Sequence, residues 1–226
     1  DVGRLSFAGS WFRPFELVDC AFVSCEGSSH FRYRDLEFAH CRWEHTELAG
    51  SWKSVRMRDC TFVDTAIADL KIERSRLQST QVTGLAGSGL IIQDSVLEGV
   101  RIAGSIRHLS LVDIRVNELD LSALEVIDGG YLGIVGRAMM LPDFPNSFAM
   151  AQSGIREAID RLARTESPEV LASLRNLFGA GFELEHIDHV RVAEVGPVGR
   201  RMSPSEQQVV LDVLRQHREL RWPPDQ

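Results

Sequence analysis

Cys60-Thr61-Phe62-Val63-Asp64-Thr65-Ala66-Ile67-Ala68-Asp69-Leu70-Lys71-Ile72-Glu73-Arg74-Ser75-Arg76-Leu77-Gln78-Ser79 places an apolar residue at every fifth position, at Phe62, Ile67, Ile72 and Leu77. Five fits neither the 3.6-residue period of a helix nor the 2-residue period of an ordinary strand, so the stretch reads as a structural repeat. The beat extends unbroken from Trp52 to Ile102 and, with three breaks, from Phe7 to Val126. A small or aliphatic residue often stands two positions before each centre. The first half of the chain is therefore expected to be a solenoid.

Cys20-Ala21-Phe22-Val23-Ser24, Ser75-Arg76-Leu77-Gln78-Ser79 and Leu119-Asp120-Leu121-Ser122-Ala123 resemble the repeat unit of the pentapeptide-repeat family: a small residue, a polar residue, Leu or Phe, then two polar residues. The resemblance covers residues 5–128. It implies a mainly β fold, a right-handed four-sided parallel β-helix with one pentad per side and four per coil. Several units depart from the pattern, with Val100 and Leu90 where the small residue is expected.

Wrapped four to a coil, the centres fall on four faces, named here by one member each. The Phe22 face stacks Phe22, Trp43, Phe62, Val82, Ile102 and Leu121. The Leu17 face stacks Leu17, Phe38, Met57, Leu77, Leu97 and Val116, and the Tyr33 face stacks Phe12, Tyr33, Trp52, Ile72, Ile92 and Leu111. The odd face reads Phe7, Gly27, Leu48, Ile67, Gly87, Arg107 and Val126, and holds every centre that is not hydrophobic. The three breaks are an insertion between Gly27 and Tyr33, a deletion between Leu48 and Trp52, and a deletion between Arg107 and Leu111. All three fall where the chain leaves the odd face, and length changes in a stacked solenoid collect where they spare the packed interior. Glu26, Gly27, Glu47, Asp69, Gly87, Arg107 and Glu125 are thus the candidate interaction face. Six coils at roughly 4.8 Å each give a rod of about 29 Å.

Cys20, Cys25, Cys41 and Cys60 all stand two positions before a centre, where a small side chain turns inward. Cys20, Cys41 and Cys60 share one face in successive coils and are expected to form a ladder of buried free thiols, the ordinary role of an unpaired Cys. Neither a metal site nor a disulfide is expected of them. The seven histidines are dispersed. His186 and His189 are close in sequence, but on an alternating strand positions three apart face opposite ways. No nucleophile elbow, phosphate loop or zincin motif is present, so no catalytic residue, metal or cofactor is assigned and no enzyme is expected.

Asp128-Gly129-Gly130 reads as the end of the repeat, dividing the chain into a β-helix of residues 1–130 and a mostly helical module of 131–226. Within the module, an apolar connector covers 131–152. Ser153, Ser167-Pro168-Glu169 and Ser203-Pro204-Ser205-Glu206 are helix-start signals for helices near 154–164, 168–178 and 204–219. Residues 182–195 read as extended chain. The apolar faces of those helices are expected to cover the β-helix end or a second copy, and the resemblance implies a homodimer through them.

The chain is 226 residues long, 44% hydrophobic and 25% charged. No apolar run approaches the ~20 residues of a membrane span, and no signal-like segment is evident, so a cytoplasmic protein without membrane contact is expected. The start at Asp1 without Met suggests an earlier segment. Lys53 and Lys71 are the only lysines, a codon-usage signature of a GC-rich bacterial genome. Residues 129–226 carry 11 basic against 13 acidic side chains, which lacks the basic stripe of a direct nucleic-acid reader. Residues 1–128 carry 14 basic against 19 acidic, a net of −5.

The expected function is a noncatalytic scaffold that binds an unidentified protein partner, with the acids of the odd face and Arg13, Arg32, Arg34, Lys53, Lys71 and Arg74 as opposite-charge docking surfaces. The resemblance implies an alternative: a DNA mimic that occupies the DNA-binding saddle of a type II topoisomerase, gyrase or topoisomerase IV, with quinolone resistance or self-protection as its consequence. That role needs a continuous anionic face. A further alternative is an enzyme activity in the C-terminal module, for which no constellation of residues is found.

Overall fold

A computed structural model describes residues 15–25, 32–142, 147–151, 160 and 187–191. Every strand from Phe15 to Met140 runs parallel to its neighbours in one continuous sheet that winds into a solenoid of about six turns. Pairing partners lie 19 to 21 residues apart, one full coil, as in Phe22↔Trp43, Trp43↔Phe62 and Leu77↔Leu97. The faces deduced from the beat are those of the folded chain on three of the four sides. Leu17 stacks on Phe38, Met57, Leu77, Leu97 and Val116 in turn. Tyr33 leads to Trp52, Ile72, Ile92 and Leu111.

Each pentad makes one side because its three middle residues are extended and its last residue turns a corner. Two inward positions result, the centre and the residue two before it, as strand alternation requires. The residue two after most centres takes positive φ: Asp19, Asp35, Asp59, Asp64, Asp69, Asp94 and Asp113 lie between 49° and 55°. His40, His45, Ser24, Ser54 and Ser79 do the same. This left-handed region costs most side chains ~1–2 kcal/mol and is most accessible to Gly, Asn and Asp. Each corner amide then donates to the next coil, as Asp59 N–H does to the Gln78 carbonyl at 3.0 Å and Asp113 N–H to that of Leu132 at 2.8 Å.

The core is the inside of the coil. Leu36, Trp43, Trp52, Met57, Leu77, Ile92, Leu97, Leu109 and Ile114 are all buried there. Two buried serines on the Leu17 face tie successive coils together, with Val55 N–H donating to Ser75 Oγ at 3.0 Å and Ser75 N–H to Ser95 Oγ at 3.1 Å.

The chain departs from the sequence expectations in three respects. First, the coil does not stop at Asp128-Gly129-Gly130. Gly129 and Gly130 pair with Leu109 and Ser110, Tyr131 stacks on Leu111, and Val135–Met140 runs alongside Arg115–Asp120. Tyr131, Ile134 and Met139 are buried. Asp128, Gly129 and Gly130 lie within the strand Leu124–Leu132 and keep ladder register with His108, Leu109 and Ser110, so this Asp-Gly-Gly is not a terminator. Second, Arg107 is not a centre. Ile106 pairs with Gly87 and Val126 and is 2% exposed, whereas Arg107 is exposed. The register passes from Val82↔Ile102 to Leu85↔Gly104, so the missing residue lies at the corner entering the odd face. The deletion after Leu48 does lie at the leaving corner, between Ala49↔Ala68 and Ser51↔Lys71. The insertion before Tyr33 falls outside the described residues. Third, Ser147–Ala151 forms a strand where a connector was expected, and it pairs antiparallel with Ile187–Arg191 inside the expected extended segment. The helices expected near 154–164, 168–178 and 204–219, and the dimer contact through them, lie outside the described residues apart from Asp160, which is helical.

Candidate interaction surface

The odd face is built on the column Leu48, Ile67, Gly87, Ile106 and Val126. The residues flanking Ile67, Gly87, Ile106 and Val126 on their strands point outward. In the coils of Ile67 and Gly87 they are Ala66, Ala68, Ala86 and Ser88, and Ser105 continues the series before Arg107. This part of the face is a flat platform with no side chain larger than Ser. Glu47 stands exposed at one end, and Arg107, Glu125 and Asp128 stand exposed at the other. Glu26 and Gly27 lie outside the described residues.

Asp69 is an exposed carboxylate tied to the next coil. Its amide donates to Ser88 Oγ and the Ser88 hydroxyl donates back to its Oδ1, both at 2.9 Å, which fixes the corner between two coils. At the next corner His108 Nδ1 lies 3.7 Å from Asp128 Oδ2. Gly87, placed on this face as a recognition residue, has a backbone reason to be there. Its φ is +151°, and a Cβ built on it falls 2.0 Å from the Ile67 carbonyl oxygen. Only glycine lets the two coils approach this closely.

The basic counterpart on the Tyr33 face is largely neutralised from within. Arg34 Nε lies 3.7 Å from Asp35, and Lys71 Nζ lies 2.9 Å from Glu73. The Lys71 hydrogen bond holds the Glu73 carboxyl below its ordinary range; burial opposes it, and the charges of Lys71 and Lys53 and the Ser51 hydrogen bond add to the lowering. Lys53 and Arg74 remain on this surface. Arg13 and the side chain of Arg32 lie outside the described set. A shallow groove follows the corner from this face to the Leu17 face, where Arg56, Arg74 and Arg76 alternate with Asp35, Glu37 and Asp94. Arg76 donates from Nη2 to both Glu98 oxygens at 2.8 and 3.0 Å, and Arg56 lies 3.8 Å from Glu37. Exposed pairs of this kind contribute ~0–1 kcal/mol each; they keep the groove near neutrality.

The expected column of buried thiols is buried at two of its three positions. Cys41 and Cys60 are wholly buried, Cys20 is half-buried, and all are free thiols. Cys41 Sγ donates to the Leu17 carbonyl of the preceding coil at 3.3 Å, and Cys60 Sγ does so to that of Phe38 at 3.5 Å. Burial pushes the Cys41 thiol up to about 11 and raises Cys60 in the same direction. Both are inert at neutral pH, because the thiolate is the reactive form.

Among the described residues no group of three or more His, Cys, Asp or Glu is placed to hold a metal ion, and no helix is long and apolar enough to cross a membrane. The corner code is what sequence reasoning missed: Asp, His, Ser or Gly two after nearly every centre was visible in the chain. Applied at His108, it selects Ile106 as the centre. No family model matches the chain, and no curated protein is significantly similar to it.

Proposed function

We propose that the protein is a noncatalytic scaffold of the pentapeptide-repeat kind, and that it docks a protein partner on its odd face. One observation carries this reading: the platform of Ala66, Ala68, Ala86, Ser88 and Ser105 on a rigid parallel sheet. Burying long side chains in an interface costs ~0.5–1.5 kcal/mol for each one immobilised, and this platform has none to immobilise. A partner surface can approach the sheet closely, while Glu47 at one end and Glu125 at the other favour basic groups at its rim.

The topoisomerase reading requires negative charge along the length of the rod. Here the odd-face acids Glu47, Asp69, Glu125 and Asp128 are separated by small uncharged residues and offset by Arg107, so the negative charge is discontinuous and the general scaffold is the better-supported function. Substituting Ala86→Arg adds a bulky charge to an exposed position, and Gln81→Arg makes the same change on the Phe22 face. In affinity capture from the native host, a partner recovered by the parent and by Gln81→Arg should be lost with Ala86→Arg. Equal recovery by both variants would remove the odd face as the docking site. Inhibition of gyrase supercoiling by the purified protein would instead favour the DNA-mimic alternative.

A further inference from the structure

Among the described residues, two buried side-chain polar atoms have no hydrogen-bond partner within the chain, Thr46 Oγ1 and Trp52 Nε1. They belong to one coil and stand on either side of the corner that leaves the odd face: Thr46 is the inward companion of Leu48, and Trp52 is the next centre. Both residues are 2% exposed. A buried N–H left unpaired keeps the full cost of its desolvation, and folded proteins satisfy such groups from the chain or from ordered water. For the Trp52 indole the chain supplies no acceptor.

The interior beside Trp52 has room for a partner of another kind. A space of about 50 Å³ runs inside the coils, with Trp52, Thr65 and Thr80 on its otherwise apolar wall. A buried water needs roughly 10–15 Å³ and two to four polar partners. Thr65 Oγ1 donates to the Val63 carbonyl at 3.5 Å and Thr80 Oγ1 to that of Gln78 at 3.2 Å. Those bonds use the hydroxyl hydrogens and leave the oxygen lone pairs able to accept. Thr46 stands directly below Thr65, since the Ala66 amide donates to the Thr46 carbonyl at 2.8 Å, and one coil beyond Thr65 the same column changes to Leu85. The column is polar at the level of Trp52 and apolar two coils later.

We infer that this part of the interior is a binding site for ordered water, held by the Trp52 indole and the threonine hydroxyls. The water accepts from Nε1–H and donates to a threonine oxygen. The site is independent of the docking surface, because its wall lies inside the coil. A crystal structure of the full chain should place an ordered water about 2.7–3.2 Å from Trp52 Nε1 and from Thr65 or Thr80 Oγ1. In solution, the Trp52 indole proton should show a rotating-frame Overhauser cross-peak to water, with the sign that distinguishes a bound water from chemical exchange. Replacing both acceptors, Thr65→Val with Thr80→Val, keeps the side-chain shape and should weaken or abolish that cross-peak. A cavity without water, a water that does not reach Nε1, or a cross-peak unchanged in the double variant overturns the inference. The two measurements on the unaltered chain decide the outcome even where the variant fails to fold.

Discussion

The second and third coils and the fifth and sixth coils enclose the same four-sided interior with opposite choices of residue. In the former, the centres are large and mostly aromatic, Phe38, Trp43, Trp52 and Phe62, and the inward residues two places before several centres are small: Cys41, Thr46, Cys60 and Thr65. In the latter, the centres shrink to Leu97, Ile102, Ile106 and Leu111, and the companion positions grow to Val100, Leu109, Ile114, Leu119 and Leu124. Along the Phe22 face, where the pairs run Cys41/Trp43, Cys60/Phe62, Val100/Ile102 and Leu119/Leu121, close packing favours a nearly constant volume for the two inward residues of a side. Val100 and Leu90, which depart from the repeat pattern, are therefore compensations for smaller centres. The fourth coil lies between the regimes. It has the smaller centres Val82 and Gly87.

The comparison can be broken at either end. Trp43→Ala should cost about 3–5 kcal/mol, and Leu109→Ala about 2–5 kcal/mol, in denaturant unfolding; a much smaller loss at either site would mean that its coil is not packed as described. Cys60→Leu should destabilise by about 1–3 kcal/mol through overpacking beside Phe62. The pair Phe62→Val with Cys60→Leu converts that side to the aliphatic pattern. It should be more stable than the summed single effects by about 0.5–3 kcal/mol. Strict additivity would refute volume compensation.

A smaller effect concerns reactivity. In native protein, Cys20 should be alkylated before Cys41 and Cys60, as read by mass spectrometry. Raising the pH should accelerate Cys41 only as its high pKa is approached; fast labelling of all three would show that the ladder is open.

The smallest effect belongs to the surface, where the two regions should behave alike. Glu73 in the third coil is held below the ordinary carboxylate range chiefly by Lys71, and Asp120 in the sixth by hydrogen bonds from Ser122 and then by Arg101. Depressed carboxyls contribute stability above their unfolded pKa, and this contribution is lost as pH falls through the folded value. Glu73→Gln and Asp120→Asn should each flatten the acid side of the stability profile. A change on the neutral-to-alkaline side would contradict the assignment.

The solenoid was legible in the chain because its period is local: a centre and its companion lie two residues apart, and the sheet only repeats them. Register on the odd face was less legible. A strict count of five from Ile102 selects Arg107, and only the inward aliphatic Ile106 followed by a corner histidine corrects it. The end of the repeat was misplaced for a related reason, since glycine and aspartate mark corners and termini alike. Gly87 illustrates the limit most clearly. Its meaning depends on a carbonyl twenty residues away in sequence, and no local pattern announces that approach.

The ring stack has an optical consequence. Trp43 lies face to face with Phe22 at 4.9 Å and with Phe62 at 4.4 Å, while Phe38 meets it edge-on at 5.2 Å. From Leu77 to Pro142 the only aromatic residue is Tyr131. Near-ultraviolet ellipticity from this asymmetric stack therefore reports on the early coils, while the amide bands in the far ultraviolet report on every coil. Coincident melting curves in the two spectral windows would show that the rod opens as one unit. Separate curves would show which end lets go first.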